Sequence, residues 1–229
     1  LHLHRCKYGD NRRSLIEYSG GDVSIEDLIA DESVVVTISH AGYIKRTNLS
    51  EYKTQNRGGV GQKSAGTRDQ DFLEHMFVAT NHQYMMFFTQ KGKCFWMRVY
   101  EIPEGSKTAK GRAIQNLVNI ESDDKVKAFI CTQDLKDKDY KNSHNLIMVT
   151  KKGQVKKTSL EKYSKPRVNG VAAITIKDGD ELLGAKLTNG SSQVLIAGKS
   201  GKIVRFEEEK TRPMGRTASG VRGITLADD

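Results

Sequence analysis

The sequence predicts an all-β fold built from about four tandem, blade-like repeats. Short apolar runs recur in pairs, and each pair is joined through a glycine, which is typical of β-hairpins. The joining glycines Gly42, Gly92, Gly153 and Gly201 follow one another after 50, 61 and 48 residues. A period of about 50 residues suits a unit of four strands. Helical periodicity is weak, apart from one helical turn predicted within residues 23–30.

The four hairpins are predicted in order at residues 34–46, 84–98, 146–157 and 194–205. In each hairpin the first run is largely apolar and the second run ends in one or more cations. The longest interval, between the second and third hairpins, contains residues 134–143. This stretch is polar and charged, so it predicts a surface loop.

A second marker follows each hairpin: a basic connection, a glycine and a short returning strand. It occurs at residues 57–61, 110–114, 169–172 and 219–224. In the last two units these glycines are equally well explained as bulges or tight corners. We predict a lead-in segment at residues 1–22 and a repeat domain at residues 23–229, with units at 27–65, 66–117, 118–174 and 175–226.

Charge is segregated along the chain. The chain has 37 Lys and Arg against 28 Asp and Glu, for a net charge of +9. Residues 41–70, 91–112, 151–167 and 199–222 carry 26 of the cations and 8 of the acids, so these four windows sum to +18. An acidic cluster precedes each window. A fold that gathers the windows on one surface would have the electrostatic footprint of a nucleic-acid binder.

Several classes of protein find no support. Cys6, Cys94 and Cys131 form no CxxC pair, which argues against a zinc site or disulfide scaffold and favours a reducing cytoplasm. No apolar run approaches the ~20 residues of a membrane span, and no nucleophile motif is found. The segment 61–64 lacks the glycine that a phosphate-binding P-loop needs before Lys63. Because the chain begins at Leu1, we expect a fragment of a longer protein.

The most informative segment is the heptapeptide at residues 55–61, Gln-Asn-Arg-Gly-Gly-Val-Gly. Three glycines beside an arginine allow the backbone to lie close to a bulky anion. This heptapeptide resembles the signature box of the DNA gyrase A subunit, Gln-Arg-Arg-Gly-Gly-x-Gly. Residues 39–46, 49–52, 178–184 and 220–224 are similar to the same family, and the resemblance runs from about residue 27 to 226. Asn56 departs from the pattern, where the family has a second arginine.

The resemblance implies a six-bladed β-pinwheel, the C-terminal domain that wraps DNA around a basic rim. About four blades are present here, so we expect two to lie outside this fragment. The implied partners are duplex DNA and, in an A2B2 assembly, the B subunit together with the rest of the A subunit, with no membrane. The implied setting is the bacterial cytoplasm, in association with the nucleoid. The fragment itself would hold no catalytic residue, metal or cofactor, since ATP and Mg²⁺ would act elsewhere in the parent enzyme.

We predict that the chain binds duplex DNA non-specifically and bends it, which would enable negative supercoiling by the parent enzyme. The candidate DNA contacts are Gln55, Asn56, Arg57, Gly58, Gly59, Val60, Gly61, Lys45, Arg46, Lys63, Arg68, Arg98, Lys110, Arg112, Lys156, Lys157, Lys165, Arg167, Arg205, Arg212, Arg216 and Arg222. One alternative is the topoisomerase IV counterpart, which shares the blades but carries degenerate boxes. Another is a propeller-type protein-interaction scaffold, which would have apolar or mixed-charge rims.

Overall fold

A computed structural model of the chain describes residues 14, 25–61, 63, 66, 70–133 and 135–226. The chain divides into two compact units, Leu1–Ala30 and Asp31–Asp229. In the first unit, a 3-10 turn at Ile25–Leu28 lies within the predicted helical turn. The predicted boundary between residues 22 and 23 falls outside the described residues. None of the described helices has the length and apolarity needed to cross a membrane.

The second unit is almost entirely β-structure, which confirms the predicted fold class. Within the described residues it forms fourteen strands and one short helix, α1 (Lys138–Ser143). The strands are β1 (Ser33–Ser39), β2 (Tyr43–Asn48), β3 (Leu73–Thr80), β4 (Tyr84–Thr89), β5 (Lys93–Arg98), β6 (Arg112–Ala113), β7 (Val126–Thr132), β8 (Asn145–Thr150), β9 (Gln154–Ser159), β10 (Val171–Ala172), β11 (Leu182–Thr188), β12 (Gln193–Ala197), β13 (Ile203–Glu207) and β14 (Val221–Arg222). Further 3-10 turns lie at Leu49–Glu51, Val99–Glu101, Ile114–Asn116, Leu160–Tyr163 and Glu208–Lys210.

All four predicted hairpins are present, as β1-β2, β4-β5, β8-β9 and β12-β13. Their turn glycines have φ angles of +77° to +84°, a region that residues with a β-carbon rarely adopt. In the first three hairpins the hydroxyl that ends the first strand accepts a hydrogen bond from an amide four residues later, at 3.2 Å. The first three turns are therefore held by the same local chemistry.

The sheets do not coincide with the sequence repeats. The described strands form three four-stranded sheets, ordered β3-β1-β2-β6, β10-β5-β4-β7 and β11-β8-β9-β14, and one two-stranded sheet, β12-β13. Each four-stranded sheet takes one hairpin, the strand that leads into the following hairpin and a two-residue strand from beyond that following hairpin. Three of the four predicted returning strands are present, and each joins the sheet of the hairpin before its own. This arrangement interlocks consecutive units through long-range pairing. The first returning strand, predicted at residues 57–61, is wrong, because these residues form a turn and no strand.

The apolar core lies between consecutive sheets. Met85 and Phe87 of β4 pack toward the first sheet, whereas Met86 and Phe88 pack toward the third. All four side chains are fully buried, because successive side chains of a strand point to opposite faces. This explains why β4 is a continuous apolar run rather than an alternating one. The cluster between the third and fourth sheets is smaller, with four buried residues.

The acidic clusters have a structural role at the hairpin turns. The Asp71 carboxylate accepts hydrogen bonds from the Ala41 and Phe72 amides, each at 2.9 Å. Asp124 and Asp180 do the same for the second and third turns, at 2.8–3.1 Å. In the last three of the four acidic clusters, one aspartate thus accepts a hydrogen bond from a turn amide of the preceding hairpin, so these clusters also stabilise the turns.

The long insertion between the second and third hairpins is partly helical, so the predicted loop at residues 134–143 is wrong in part. Asp137 caps α1 by accepting from the amides of Asp139 and Tyr140. Leu135 is buried in the core between the second and third sheets, with Tyr140 packed against the same cluster. Two apolar side chains in a polar stretch are enough to anchor it, which composition alone does not show.

Candidate nucleic-acid interface

Three basic loops, at residues 103–112, 165–172 and 212–222, lie along corresponding edges of the three four-stranded sheets. The two-residue strands that end these loops pair with β2, β5 and β9, the second strand of each hairpin. The loop at residues 103–112 also exchanges backbone hydrogen bonds with Arg46, at 2.9 and 3.0 Å. The loop at 212–222 is held by a bond from the Met214 amide to the Lys157 carbonyl at 2.8 Å. We call residues 53–63, 103–112, 165–172 and 212–222 the basic loops.

Two buried lysines each donate at least one hydrogen bond to a main-chain carbonyl of one of these loops. The Lys45 ammonium donates to the carbonyls of Ser106 and Lys107, each at 2.7 Å. The Lys156 ammonium donates to the carbonyls of Ala173, at 2.6 Å, and Arg216. Both lysines occupy the third position after the turn glycine of their hairpin. We call them the clamp lysines, because their ammonium groups tie a distant loop to the sheet.

The clamp lysines are buried, with 2% and 0% of their surface exposed. Burial lowers the pKa of both, since removal from water disfavours the charged form. For Lys156 the pKa falls to about 8, and the nearby Arg216 guanidinium acts in the same direction. A phosphate could reach neither ammonium group without displacing the loop above it. We therefore remove Lys45 and Lys156 from the candidate DNA contacts.

Three further predicted contacts are engaged within the fold. The Lys157 ammonium is buried and donates to the Glu208 carbonyl at 2.9 Å. Arg98 is buried, donates to the His82 carbonyl and lies 3.8 Å from the centre of the Tyr84 ring. For these two residues the structural role replaces the predicted phosphate contact. Arg46 is partly exposed, donates to the Ile102 carbonyl and pairs with Glu104 at 3.0 Å, so its charge is largely neutralised.

Most of the other predicted cations are accessible. Arg216 is half-buried and the rest are exposed. Arg205 donates to the Gln193 side chain, whereas the others form no ion pair with any described residue. Arg68 lies outside the described residues. The accessible cations without an ion pair are Arg57, Lys63, Lys110, Arg112, Lys165, Arg167, Arg212, Arg216 and Arg222.

At the hairpin turn of the second sheet, in contrast to the basic loops, the cations form ion pairs with acids. The Lys91 ammonium lies 2.6 Å from Asp123 and 3.1 Å from Glu121, and Lys93 lies 2.6 Å from Glu121. Cations at this turn are thus matched by acids, while those of the basic loops are largely not. The charge segregation seen in the sequence therefore corresponds to a spatial separation. Cations paired with acids lie at the hairpin turn, whereas the cations of the basic loops form few ion pairs with described residues.

The box at residues 55–61 forms a self-contained, exposed turn. The Gly59 amide donates to the Asn56 carbonyl at 3.0 Å, and the Gly61 amide donates to the Gln55 side-chain oxygen at 3.0 Å. A β-carbon at Gly59 would lie 2.7 Å from that oxygen. Gln55 therefore shapes the loop, while the neighbouring Arg57 is exposed and forms no ion pair among the described residues. Val60, in the same turn, is fully exposed to solvent.

Sequence reasoning overlooked other cations in the basic loops or beside them in the chain. Lys53 and Lys162 are exposed and lie next to predicted contacts. Lys107 donates to the Glu51 carbonyl at 2.6 Å and lies 5.8 Å from the Tyr52 ring, which links the loop at residues 103–112 to the segment just before the loop at 53–63. All three lie inside the basic windows, so the window boundaries were the signal that could have found them. Among the described residues, no group of three His, Cys, Asp or Glu is placed to hold a metal ion.

The chain matches the sequence model of the DNA gyrase C-terminal domain, a β-propeller, at residues 33–80, 83–133, 144–189 and 192–229. It is 44% identical over 229 residues to the A subunit of DNA gyrase from Salmonella typhimurium strain LT2, covering 100% of this chain and 26% of that protein. It is 40% identical over 222 residues to the corresponding protein of Escherichia coli K12, covering 97% and 25%. The chain thus spans about a quarter of the length of these relatives.

Solved structures with similar folds include the C-terminal domain of DNA topoisomerase IV. That structure has a TM-score of 0.72 and 28% identity, with 87% of this chain and 59% of that chain covered. The DNA gyrase A C-terminal domain has a TM-score of 0.66 over 86% of this chain and 62% of that chain. At 24% identity, this second similarity concerns the fold alone.

Proposed function

The chain belongs to the DNA gyrase C-terminal domain family, and we propose that it binds duplex DNA along the basic loops and bends it. The observation that carries this proposal is the set of accessible cations on the basic loops, three of which lie on corresponding sheet edges; these cations form no ion pair with any described residue. Lys and Arg that contact phosphates displace condensed counterions and fix the position of the duplex without reading its sequence. Binding is therefore expected to be independent of sequence and steeply dependent on salt.

Bending requires many contacts. Bending a site of 20–30 base pairs through a large angle costs about 1–6 kcal/mol, more than a single exposed phosphate contact contributes. The basic loops of successive sheets offer contacts at several points, as a curved path would need. The buried clamp lysines support this proposal, because they fix the two loops that they hold.

In the parent protein we propose that this domain presents bent DNA to a type II topoisomerase that introduces negative supercoils. The partners would be the gyrase B subunit with the remainder of the gyrase A subunit, in an A2B2 assembly in the bacterial cytoplasm, associated with the nucleoid. Cleavage, ATP hydrolysis and Mg²⁺ binding would reside outside this chain. The purified chain should then neither cleave nor relax DNA, and ATP turnover in a clean preparation would contradict this division.

The second candidate is the equivalent domain of topoisomerase IV, which the TM-score of 0.72 favours. The near-complete box at residues 55–61 favours gyrase. A protein-interaction scaffold would suit a rim of balanced charge, such as the Lys91 cluster at the second turn. Supercoiling by the full enzyme separates the first two candidates, and a flat response of DNA affinity to salt would favour the scaffold.

The direct test is a salt titration of binding to a duplex, with circularisation of short linear DNA measured in parallel. Lys110→Gln with Arg112→Gln should reduce the slope of log affinity against log salt by about 1.8, from about 0.9 per phosphate contact. The matched control is Lys91→Gln with Lys93→Gln, which removes the same charge from the turn of the second hairpin and should leave the slope unchanged. Equal losses in the two variants would show that net charge, rather than the loop surface, drives binding.

A further inference from the structure

Two cations lie together at the fourth basic loop: Lys156, buried beneath it, and Arg216, which is part of it. The buried Lys156 ammonium donates to the main-chain carbonyl of Arg216, and the Arg216 guanidinium is close enough to disfavour the charged form of Lys156. Neither residue forms an ion pair with any described residue. Two like charges in a partly dry site are unfavourable unless an anion joins them.

The groups that face this pair supply no such anion. Cys94 on β5 and Tyr163, in the turn after β9, lie close to the Arg216 guanidinium. Burial raises the pKa of both well above neutrality despite that guanidinium, so both are uncharged at pH 8. Met148, which is opposite Lys156 on β8, carries no charge. The remaining partners are carbonyl oxygens.

We propose that Lys156 positions Arg216 for a DNA phosphate, and that DNA binding at this loop is coupled to uptake of a proton by Lys156. The proposal rests on the proposed DNA-binding function and extends it to a proton-linked site. A phosphate bound by Arg216 would add the missing negative charge, which favours the protonated ammonium below it. Protonated Lys156 in turn holds the Arg216 carbonyl, and so holds the loop that presents the guanidinium.

The direction of the coupling follows from thermodynamic linkage. Free Lys156 has a pKa of about 8, so a bound phosphate that raises this pKa draws a proton from the buffer. At pH 8 the free lysine is half protonated, and uptake can reach about half a proton per bound site. Affinity for DNA should accordingly fall as the pH rises above 8, more than the exposed lysines alone would cause.

Lys45 provides an internal comparison. It clamps the loop at residues 103–112 in the same manner, but its charged neighbour is Glu51, which favours the protonated form. In the second hairpin the equivalent position is Phe95, which packs beneath Gly170. The cationic pair is thus specific to the third and fourth hairpins, and Lys45 should show no proton uptake when DNA binds.

The test uses the whole chain and a mixed-sequence duplex of about 30 base pairs. Calorimetric binding enthalpies at pH 8 in buffers of different ionisation enthalpy give the number of protons taken up. We expect uptake by the wild-type chain and the Lys45→Met variant, and none attributable to this site in Lys156→Arg. The arginine variant keeps the positive charge at this position without titrating near pH 8.

A measurement on the wild-type chain tests the proposal even if the arginine variant fails to fold. The pKa of the Lys156 side chain, followed by NMR with and without the duplex, should rise on binding. An unchanged pKa, or proton uptake that persists in a folded Lys156→Arg variant, would overturn the coupling while leaving DNA binding intact. A wild-type chain that binds no duplex at pH 7 would instead refute the proposed function, and this inference with it.

Discussion

The Lys157 ammonium donates a hydrogen bond to the main-chain carbonyl of Glu208 at 2.9 Å, which joins the third sheet to the end of the fourth hairpin. The Glu208 carboxylate is itself buried and accepts hydrogen bonds from the side chains of Asn145 and Thr188 and from two amides of the connecting turn, at 2.8–3.3 Å. The equivalent positions in the second and third hairpins are the buried, apolar Val99 and Leu160. A buried carboxylate that accepts four hydrogen bonds therefore supplements the small apolar core between the third and fourth sheets.

Glu208→Ala should destabilise the domain by about 3 kcal/mol, because it leaves several buried donors without an acceptor. Urea denaturation would measure the loss. The matched control is the exposed neighbour Glu209→Ala, which should change the free energy of unfolding by less than about 0.5 kcal/mol. Similar effects from the two substitutions would contradict a specific role for the buried carboxylate.

The box at residues 55–61 should matter more to wrapping than to simple binding. Other basic loops retain many cations, but loss of this loop releases one anchor of the bent path, so the bending cost then favours a straighter complex. Replacing residues 55–61 with alanines in the full enzyme should abolish negative supercoiling while sparing relaxation and basal DNA binding. If the variant with residues 55–61 replaced by alanines supercoils DNA as well as wild type, the box has no role in wrapping.

The charge of the box can be removed separately from its turn, because one substitution removes the guanidinium and another disturbs the backbone. Arg57→Ala removes the accessible guanidinium, whereas Gly59→Ala introduces a β-carbon 2.7 Å from the Gln55 oxygen. We expect Arg57→Ala to keep the melting temperature of wild type and to reduce DNA circularisation. If Arg57→Ala instead lowers melting temperature and binding together, the loop is a structural corner.

The buried Lys156 should make stability depend on alkaline pH. Its pKa is lowered from 10.5 to about 8, so between these values the unfolded chain holds more protons than the folded chain. The free energy of unfolding therefore rises with pH across this window, and the contribution is lost as pH falls through about 8. Between pH 8 and 10.5, urea denaturation should give a free energy of unfolding whose change with pH is more positive in wild type than in Lys156→Met. Because Cys94 and Tyr163 remain in both proteins, the difference between them isolates the lysine, and equal slopes would contradict the prediction.

Equivalent turn glycines should tolerate alanine to different degrees. Gly42 and Gly92 have φ angles of +82° and +84°, but a β-carbon at Gly42 meets nothing within 4 Å, whereas one at Gly92 would lie 2.3 Å from the Ile174 carbonyl oxygen. Gly42→Ala should cost about 1–2 kcal/mol from the left-handed backbone alone. Gly92→Ala should cost about 2 kcal/mol more, because backbone must move to relieve the clash. Equal melting temperatures for the two variants would rule out the close approach of residue 174 to the turn.

The sequence was sufficient for features that depend on neighbouring residues. Hairpin turns follow from local backbone geometry, so Gly42 and its three equivalents marked them correctly. The box at residues 55–61 was singled out from its glycines and arginine, and its turn is likewise closed by its own side chain and amides.

The candidate site was predicted only in part, because burial depends on distant chain segments. Lys45 and Lys110 are both lysines of basic windows, yet Lys45 lies beneath a loop that comes from about 60 residues further along the chain, while Lys110 is exposed on that same loop. No local pattern distinguishes a cation that clamps a loop from one that the loop presents to solvent.

The sequence by itself determined the all-β class, the four hairpins and the segregation of charge, since these arise from residue type and short-range spacing. Only the tertiary structure decided which strands share a sheet and which cations remain accessible. The physical reason is that the returning strands pair with the preceding hairpin rather than their own. That long-range pairing brings the loops at residues 103–112 and 212–222 over Lys45 and Lys156. The ammonium groups of these two lysines are therefore buried against carbonyl oxygens, whereas the cations on the loops themselves remain accessible.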